Sequence, residues 1–287
     1  MQKRLMWFIT LVSAVVPAFG NTATADMQTA VSTGFALVGY TVSNTGTSVI
    51  TGDVGTPTGG GGITGFGPGT ATGVYPGGTA PTAAYNDFLS AYNAALALSG
   101  TAIGAGLPSE TFTATSGVNV YTLPAGGTST TTGTHLTFNA NGNPNAVFII
   151  QVPGAFTVNG ALTFSLTNGA QADNIIWVVG TAATISVGSS GAITFDGSIL
   201  SGSTFTMSAA TGGSGTLAGT INGCVFSDIG TNTLAGETDV DGCSAFSGNG
   251  TVGAPPPPDT TPEPGTMGLF AGSLVGLSLL FRRRFQN

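Results

Sequence analysis

The amino-acid sequence predicts a mainly β protein: a β-solenoid of triangular cross-section with one long α-helix packed alongside. Three observations predict it. Late in the chain, apolar blocks recur at spacings of roughly 25 residues ("AVFIIQV" from Ala146, "NIIWVVG" from Asn174, "GSILSG" from Gly197, "GCVFSD" from Gly223), the period of a coil repeat. Each block is followed by a hydroxyl-rich strand ("AFTVNG", "TAATISVG", "STFTMS", "GTNTLAG") and then by a third short one ("LTFSL", "ITFDG", "GTLAGTI", "ETDV"). Three strands per repeat describe a three-sided coil. One segment alone has helical periodicity, whereas a parallel α/β sheet would need a helix after most strands.

Composition narrows the function classes. Only 6% of the 287 residues are charged, against about 25% in an ordinary soluble domain. The formal charge is −7, and 47 Gly and 45 Thr dominate. The chain is 41% hydrophobic with 17 Phe, enough to build a core and argue against disorder. All five basic residues lie at the ends (Lys3, Arg4, Arg282, Arg283, Arg284). With no Lys or Arg between them, the chain has nothing to neutralise phosphates, which excludes nucleic acid and acidic membrane surfaces as partners.

Residues 1–25 have a basic start, an apolar run from Leu5 to Phe19, and Ala23-Thr24-Ala25 before Asp26. This is the pattern of a cleaved secretory signal. Gly20 is a second candidate end, and a buried helix is the structural alternative. The mature domain is expected over 26–254. Within it, "PTAAYNDFLSAYNAALALSG" opens on Pro81 and stops at Gly100, predicting a helix over about 81–99. Tyr85, Phe88, Leu89, Tyr92, Ala95 and Leu96 form its apolar stripe, expected to dock on a sheet. "AYN" recurs in it one heptad apart.

From Thr184 onward, "TAATISVG" alternates short hydroxyls with apolar residues, the pattern of a strand with one buried face. Across the second strands, Thr157, then Thr184 and Ser186, then Thr204 and Thr206, then Thr231 and Thr233 point one way. Val158, Ile185, Phe205, Met207 and Leu234 point the other. Rungs stack about 4.8 Å apart and alternate residues lie about 6.6 Å apart, so these side chains form a two-dimensional array. Thr is stiff at χ1, which keeps the array ordered. Thr also simply suits strands, so the array by itself is equally a product of β-propensity.

The only cysteines, Cys224 and Cys243, are close in sequence, and in an exported chain such a pair is expected to form a disulfide; two free thiols is the alternative. No metal site is expected around the sole histidine, His135. Asp228, Glu237, Asp239 and Asp241 are oxygen donors without the spacing of an EF-hand loop. Asp53 fits a turn, and Gly59–Gly62 lacks the Lys of a phosphate loop. No catalytic residue and no cofactor is expected. Solenoid lyases need a basic catalyst that this domain does not have.

Residues 255–265 begin with Pro255–Pro258, a stiff linker, and carry Pro262-Glu263-Pro264. Residues 266–287 hold an apolar run to Phe281, short for a full span of about 20 residues, and then three arginines. This order resembles the PEP-CTERM sorting signal of Gram-negative bacteria. The resemblance implies export through the inner membrane, a transient C-terminal anchor, cleavage by an exosortase, and release to the cell surface or the extracellular matrix.

The stretches "STGFALVGYTVSNTGTSVITGDVGTPTG", "AYNDFLSAYNAA", "FNANGNPNAVFIIQV" and "NGAQADNIIWVVG" resemble the bacterial and fungal ice-binding protein family, from about Ser32 to Cys243. The resemblance implies a right-handed, discontinuous β-solenoid whose N-terminal segment supplies part of the stack. It also implies a flat β face that binds ice. Thr181-Ala182-Ala183-Thr184 matches a T-A/G-x-T/N motif of that face in some members, adding Thr181. "YTVSNTG" adds Thr41 and Ser43. The last coil, "GETDVDGC", departs from the family in being acidic. The expected partner is then an ice crystal surface, bound by a monomer. The alternative is a structural or adhesive matrix protein that binds extracellular polysaccharide. A flat face of small and hydroxyl side chains favours ice; aromatic side chains beside a groove, with Tyr75, Tyr121 and Trp177 as candidates, favour a glycan.

Overall fold

The computed structural model describes residues 34–104, 107, 109–187, 191–208 and 217–243. The expected secretory signal over residues 1–25, the Pro-rich linker with Pro262, Glu263 and Pro264, and the C-terminal apolar segment lie outside the described residues. The chain forms the right-handed discontinuous β-solenoid, with every strand pair among the described residues parallel. Its three faces follow the three strands of each repeat.

The first face carries the strands Val118–Thr122, Val147–Val152, Ile175–Val179, Ser198–Ser201, Val225–Ser227 and Phe35–Val38, paired in that order. The second face is a seven-stranded sheet in the order Thr128–Thr130, Phe156–Asn159, Ala183–Ser186, Phe205–Ser208, Thr231–Ala235, Thr41–Asn44 and Gly62–Thr64. The third face holds Glu110–Thr113, Thr134–Asn139 and Leu162–Thr167, and further on Ile193–Asp196, Leu217–Asn222 and Glu237–Val240.

The stack is not in chain order. The N-terminal segment sits beyond the last C-terminal coil, with Phe35–Val38 on Val225–Ser227 and Thr41–Asn44 on Thr231–Ala235. The long strand Val49–Thr56 rounds a corner, pairing with Glu237–Val240 at Ile50 and with Phe35–Val38 further on. The chain must therefore travel the height of the stack to begin coiling at the other end, and the helix, Thr79–Leu96, makes that journey.

The helix lies on the first face. An 18-residue helix is roughly 27 Å long. It runs from Gly55, where a Cβ would meet Pro81, to Gln151, whose Nε2 donates to Ala95 O at 2.7 Å. Those rungs are five steps apart, roughly 24 Å, so helix and stack match in height. The repeated "AYN" has the same origin. Tyr85 donates to the Asp228 backbone carbonyl at 2.9 Å, and Tyr92 donates to Val179 O two rungs away at 3.3 Å. Seven helical residues rise roughly 10.5 Å, and two rungs span roughly 9.6 Å.

The buried stripe is Pro81, Ala84, Phe88, Ala91, Tyr92 and Ala95. This corrects the expected one: Tyr85 and Leu89 are half-buried and Leu96 is exposed. Alanines face the sheet because the helix axis comes close to it. The ends also differ, Thr79–Leu96 against about 81–99, because Gly77 and Gly78 end the preceding turn with positive φ and the helix is already wound at Thr79.

Where the helix covers it, the first face is buried on both sides, as the unbroken apolar run of Ile175–Val179 requires. Inside the coils, Phe112 stacks on Phe138 at 4.7 Å and Trp177 on Phe156 at 5.1 Å. Trp177 Nε1 donates to Asp196 O at 3.1 Å, which satisfies the indole in the core. The edge between the third and first faces turns on glycine. Gly197 holds φ 110, and a Cβ there would lie 2.7 Å from Ile175 O. Cys224 and Cys243 form a disulfide at this edge, with Cα atoms 5.1 Å apart.

Candidate functional site

The second face is set by strict alternation. Val42, Val158, Ile185, Met207 and Leu234 are buried, and the residues between them point outward. The central outward column runs Ser129, Thr157, Thr184, Thr206, Thr233, Ser43 and Thr64, one hydroxyl on each of seven rungs. A second column joins Thr231 to Thr41, with Thr204 one residue before its strand and in line with Thr231. A third holds Asn159, Ser186, Ser208 and Ala235.

Thr41, Ser43, Thr157, Thr184, Ser186, Thr204, Thr206, Thr231 and Thr233 thus lie on one face. Thr181 stands apart. It is exposed at the corner that leads into this face, and Ala182 takes the place in line with Thr204. Four polar members of the array were not anticipated. Ser208 and Asn159 continue the alternation past Thr206 and Thr157, so the pattern could have found them. Ser129 and Thr64 sit in strands of three residues beside glycines, where no alternation is visible.

No bulge interrupts the pairing on this face, whereas the first-face sheet shifts register at Phe35/Leu37 and Ile50/Asp53. A bulge would bend the face, and its absence keeps the columns straight. Every outward residue of these strands is uncharged. None of them is aromatic. Trp177 is buried, Tyr121 donates to Thr113 O at 2.6 Å and packs on Phe112, and Tyr75 packs on Phe35.

Continuity and charge separate this face from the third, which is also rich in Thr and where, among the described residues, the side chains of Thr111, Thr137, Ser165, Thr194 and Thr220 likewise make no hydrogen bond within the protein. Among the described residues, the hydroxyls of Thr41, Ser43, Thr157, Thr184, Thr204, Thr206, Thr231 and Thr233 make no hydrogen bond within the protein. Ser186 pairs with Ser208 at 3.2 Å, and Thr64, on the end rung, donates to Val42 O at 3.5 Å. On the third face, Thr167 donates to Phe138 O at 3.2 Å and Thr163 is bonded to His135 Nδ1 at 2.8 Å. That face also carries charge. Glu237 accepts from Thr47 at 2.9 Å, and Asp239 accepts from Val49 N at 2.9 Å. The second face alone offers seven paired rungs of small uncharged side chains; the third-face strands are divided between two sheets, and their column ends at Asp239.

The carboxylates are dispersed. Asp228 accepts from Tyr85 at 2.6 Å; burial first, and then this carboxylate, push the phenol well above its usual range. Among the described residues, no three His, Cys, Asp or Glu side chains gather where a metal ion would be held.

The ice-binding-like family model matches residues 36–239. The chain belongs to the ice-binding-like family. A PEP-CTERM protein-sorting motif matches residues 260–284, so the chain is exported with a transient C-terminal membrane anchor. An ice-binding protein from Nostoc sp. (strain HG1) is 30% identical over 253 residues, covering 88% of this chain and 84% of the relative. The crystal structure of an ice-binding protein from the Antarctic ascomycete Antarctomyces psychrotrophicus superposes with a TM-score of 0.60 at 30% identity, over 74% of this chain and 95% of that one. An ice-binding protein from an Antarctic biological consortium superposes with a TM-score of 0.59 at 25% identity, over 83% of this chain and 96% of that one. The family's β-solenoid is thus the fold this chain adopts.

Proposed function

We propose that the exported chain, after processing by an exosortase, is an antifreeze protein that adsorbs to ice through its second face. The observation that carries this reading is the seven-rung column of hydroxyls, unbonded within the protein from Thr157 to Ser43, on a face without bulges or charge. Each Thr offers water one hydroxyl and one methyl at a fixed height. The hydroxyls, spaced by the rungs, hold water in a repeating pattern, and the methyls exclude water that does not fit it. Rigid χ1 rotamers and a parallel ladder mean that little further ordering is needed on adsorption.

Adsorbed molecules pin the growth front, which lowers the freezing point and inhibits recrystallisation. No reaction is involved, so no catalytic group, metal or cofactor enters this function. Polysaccharide binding lacks support, because none of the outward residues of the face is an aromatic that could stack on a sugar ring. The test is thermal hysteresis and ice recrystallisation with the folded, disulfide-bonded mature chain. A gap between melting and growth temperatures together with arrested grain growth is expected. Neither effect from a folded sample at tens of micromolar (roughly the range of a moderate binder) would overturn the reading.

A further inference from the structure

The three-sided section also fixes where the chain leaves the solenoid. The last strand, Glu237–Val240, lies on the third face, and residues 241–243 turn onto the edge between the third and first faces. Gly242 backs onto this edge, where a Cβ would meet Thr51 O and approach Ala36. Cys243 ends there, bonded to Cys224, the residue before the first-face strand Val225–Ser227. In a triangular section this is the one edge that does not border the second face. Gly34, the first described residue, is on the same edge, with its carbonyl accepting from Asp53 N at 2.9 Å.

We propose that the domain works while held by its C-terminal tail, as an adhesive that fastens the surface carrying it to ice, with the disulfide bridging the point where the pull enters. The proposal rests on the ice-binding reading of the second face. A pull transmitted to Cys243 draws on the edge opposite that face. Four consecutive prolines, Pro255–Pro258, follow in the sequence and suit a stiff spacer.

The bridge governs how the load is carried. Without it, tension at Cys243 would peel Glu237–Val240 from Leu217–Asn222 on one side and Val49–Thr56 on the other, one hydrogen bond after another from its C-terminal end. It would next reach Thr231–Ala235, a rung of the array itself. With it, tension crosses from Cys243 to Cys224 and bypasses the 19-residue separation between them. Cys224 is fully buried, and its N–H donates to Ser198 Oγ at 3.1 Å, so the load enters at the start of this coil, beside Val225–Ser227, rather than through Glu237–Val240.

The test uses the mature chain with a biotin tag after Ala254, attached to beads, alongside the same chain free in solution. Beads are expected to hold to a growing ice face. In a force-extension measurement the wild type is expected to detach intact and rebind, while C224A/C243A lengthens before release at a force several-fold lower. Should that variant fail to fold, the wild type pulled from an N-terminal tag bypasses the bridge and is expected to lengthen in the same way. Beads that do not hold, although the free chain binds ice, would overturn the proposal, as would identical force-extension traces with and without the bridge. A free chain that does not bind ice would overturn the reading of the second face instead.

Discussion

Thr206 stands at the fourth of the seven rungs of the central column, with Thr184 and Thr233 as its neighbours. Six steps of about 4.8 Å make the column roughly 29 Å long. Thr206→Tyr places a ring above the plane of the methyls at its midpoint. An ice plane lifted by that ring meets an uninterrupted run of three rungs at most, fewer than half of the seven. Ser129→Tyr, at one end, leaves six. Thr137→Tyr, on the third face, leaves all seven. The fold should tolerate each change, because Tyr suits a strand and exposed substitutions usually shift stability by within about 0.5 kcal/mol. Thermal hysteresis at equal concentration is expected to fall by more than half in Thr206→Tyr, slightly in Ser129→Tyr and not at all in Thr137→Tyr, with unchanged circular dichroism. Equal losses at Thr206 and Thr137, or none at Thr206, would refute the assignment of the face.

Three other outcomes follow from the packing. Removing the bridge in C224A/C243A should cost about 3 kcal/mol by the loop-entropy relation for a 19-residue separation; calorimetry should find Tm lower by about 6–12 °C. Phe88 is fully buried and stacked on Phe226 at 5.7 Å, so Phe88→Ala should cost about 3–5 kcal/mol and release the helix, read as faster amide exchange on the first face. Burial raises the Asp196 carboxyl above its ordinary 3.8, opposed by the hydrogen bond from Asn222 Nδ2 at 2.7 Å. The native state therefore holds that proton more tightly than the unfolded chain. The contribution is full below about pH 3.8 and is lost as pH rises through the raised folded value. Asp196→Asn keeps an acceptor for Asn222, so it should raise Tm at pH 7 and flatten the pH profile across that window; a lower Tm at pH 7 would contradict this.

The three strands of each coil were legible because burial on one side imposes a period of two. The helix was legible because burial of one stripe imposes a period of 3.6. The order of the stack was not. Thr41–Asn44 pairs with a strand about 190 residues away, and nothing local in "TVSN" encodes that partner. Asn232 shows the same limit. It takes an inward position where the alternation calls for an apolar residue, because its Nδ2 donates to Val38 O at 2.8 Å where the N-terminal segment joins the stack. The face itself was only half legible. Thr163 and Thr167 read in sequence like Thr157 and Thr184. What separates them is that the hydroxyls of Thr163 and Thr167 are engaged within the protein, a property of neighbours 28 and 29 residues away. Thr181 was drawn in by a motif, but the strand starts two residues later and leaves it at the corner.

The match between helix and stack limits how such a protein can grow. One further coil adds about 4.8 Å, which a helix covers with roughly three residues. Three residues turn the helix by about 300°, which would carry Ala84, Phe88 and Ala91 off the sheet. Two coils need about seven residues, and a heptad returns the stripe to within about 20° of its starting direction. A solenoid strapped in this way lengthens most readily by pairs of coils, each pair bringing one more heptad of helix. The doubled "AYN", with one tyrosine for every second rung, has the spacing of such a step.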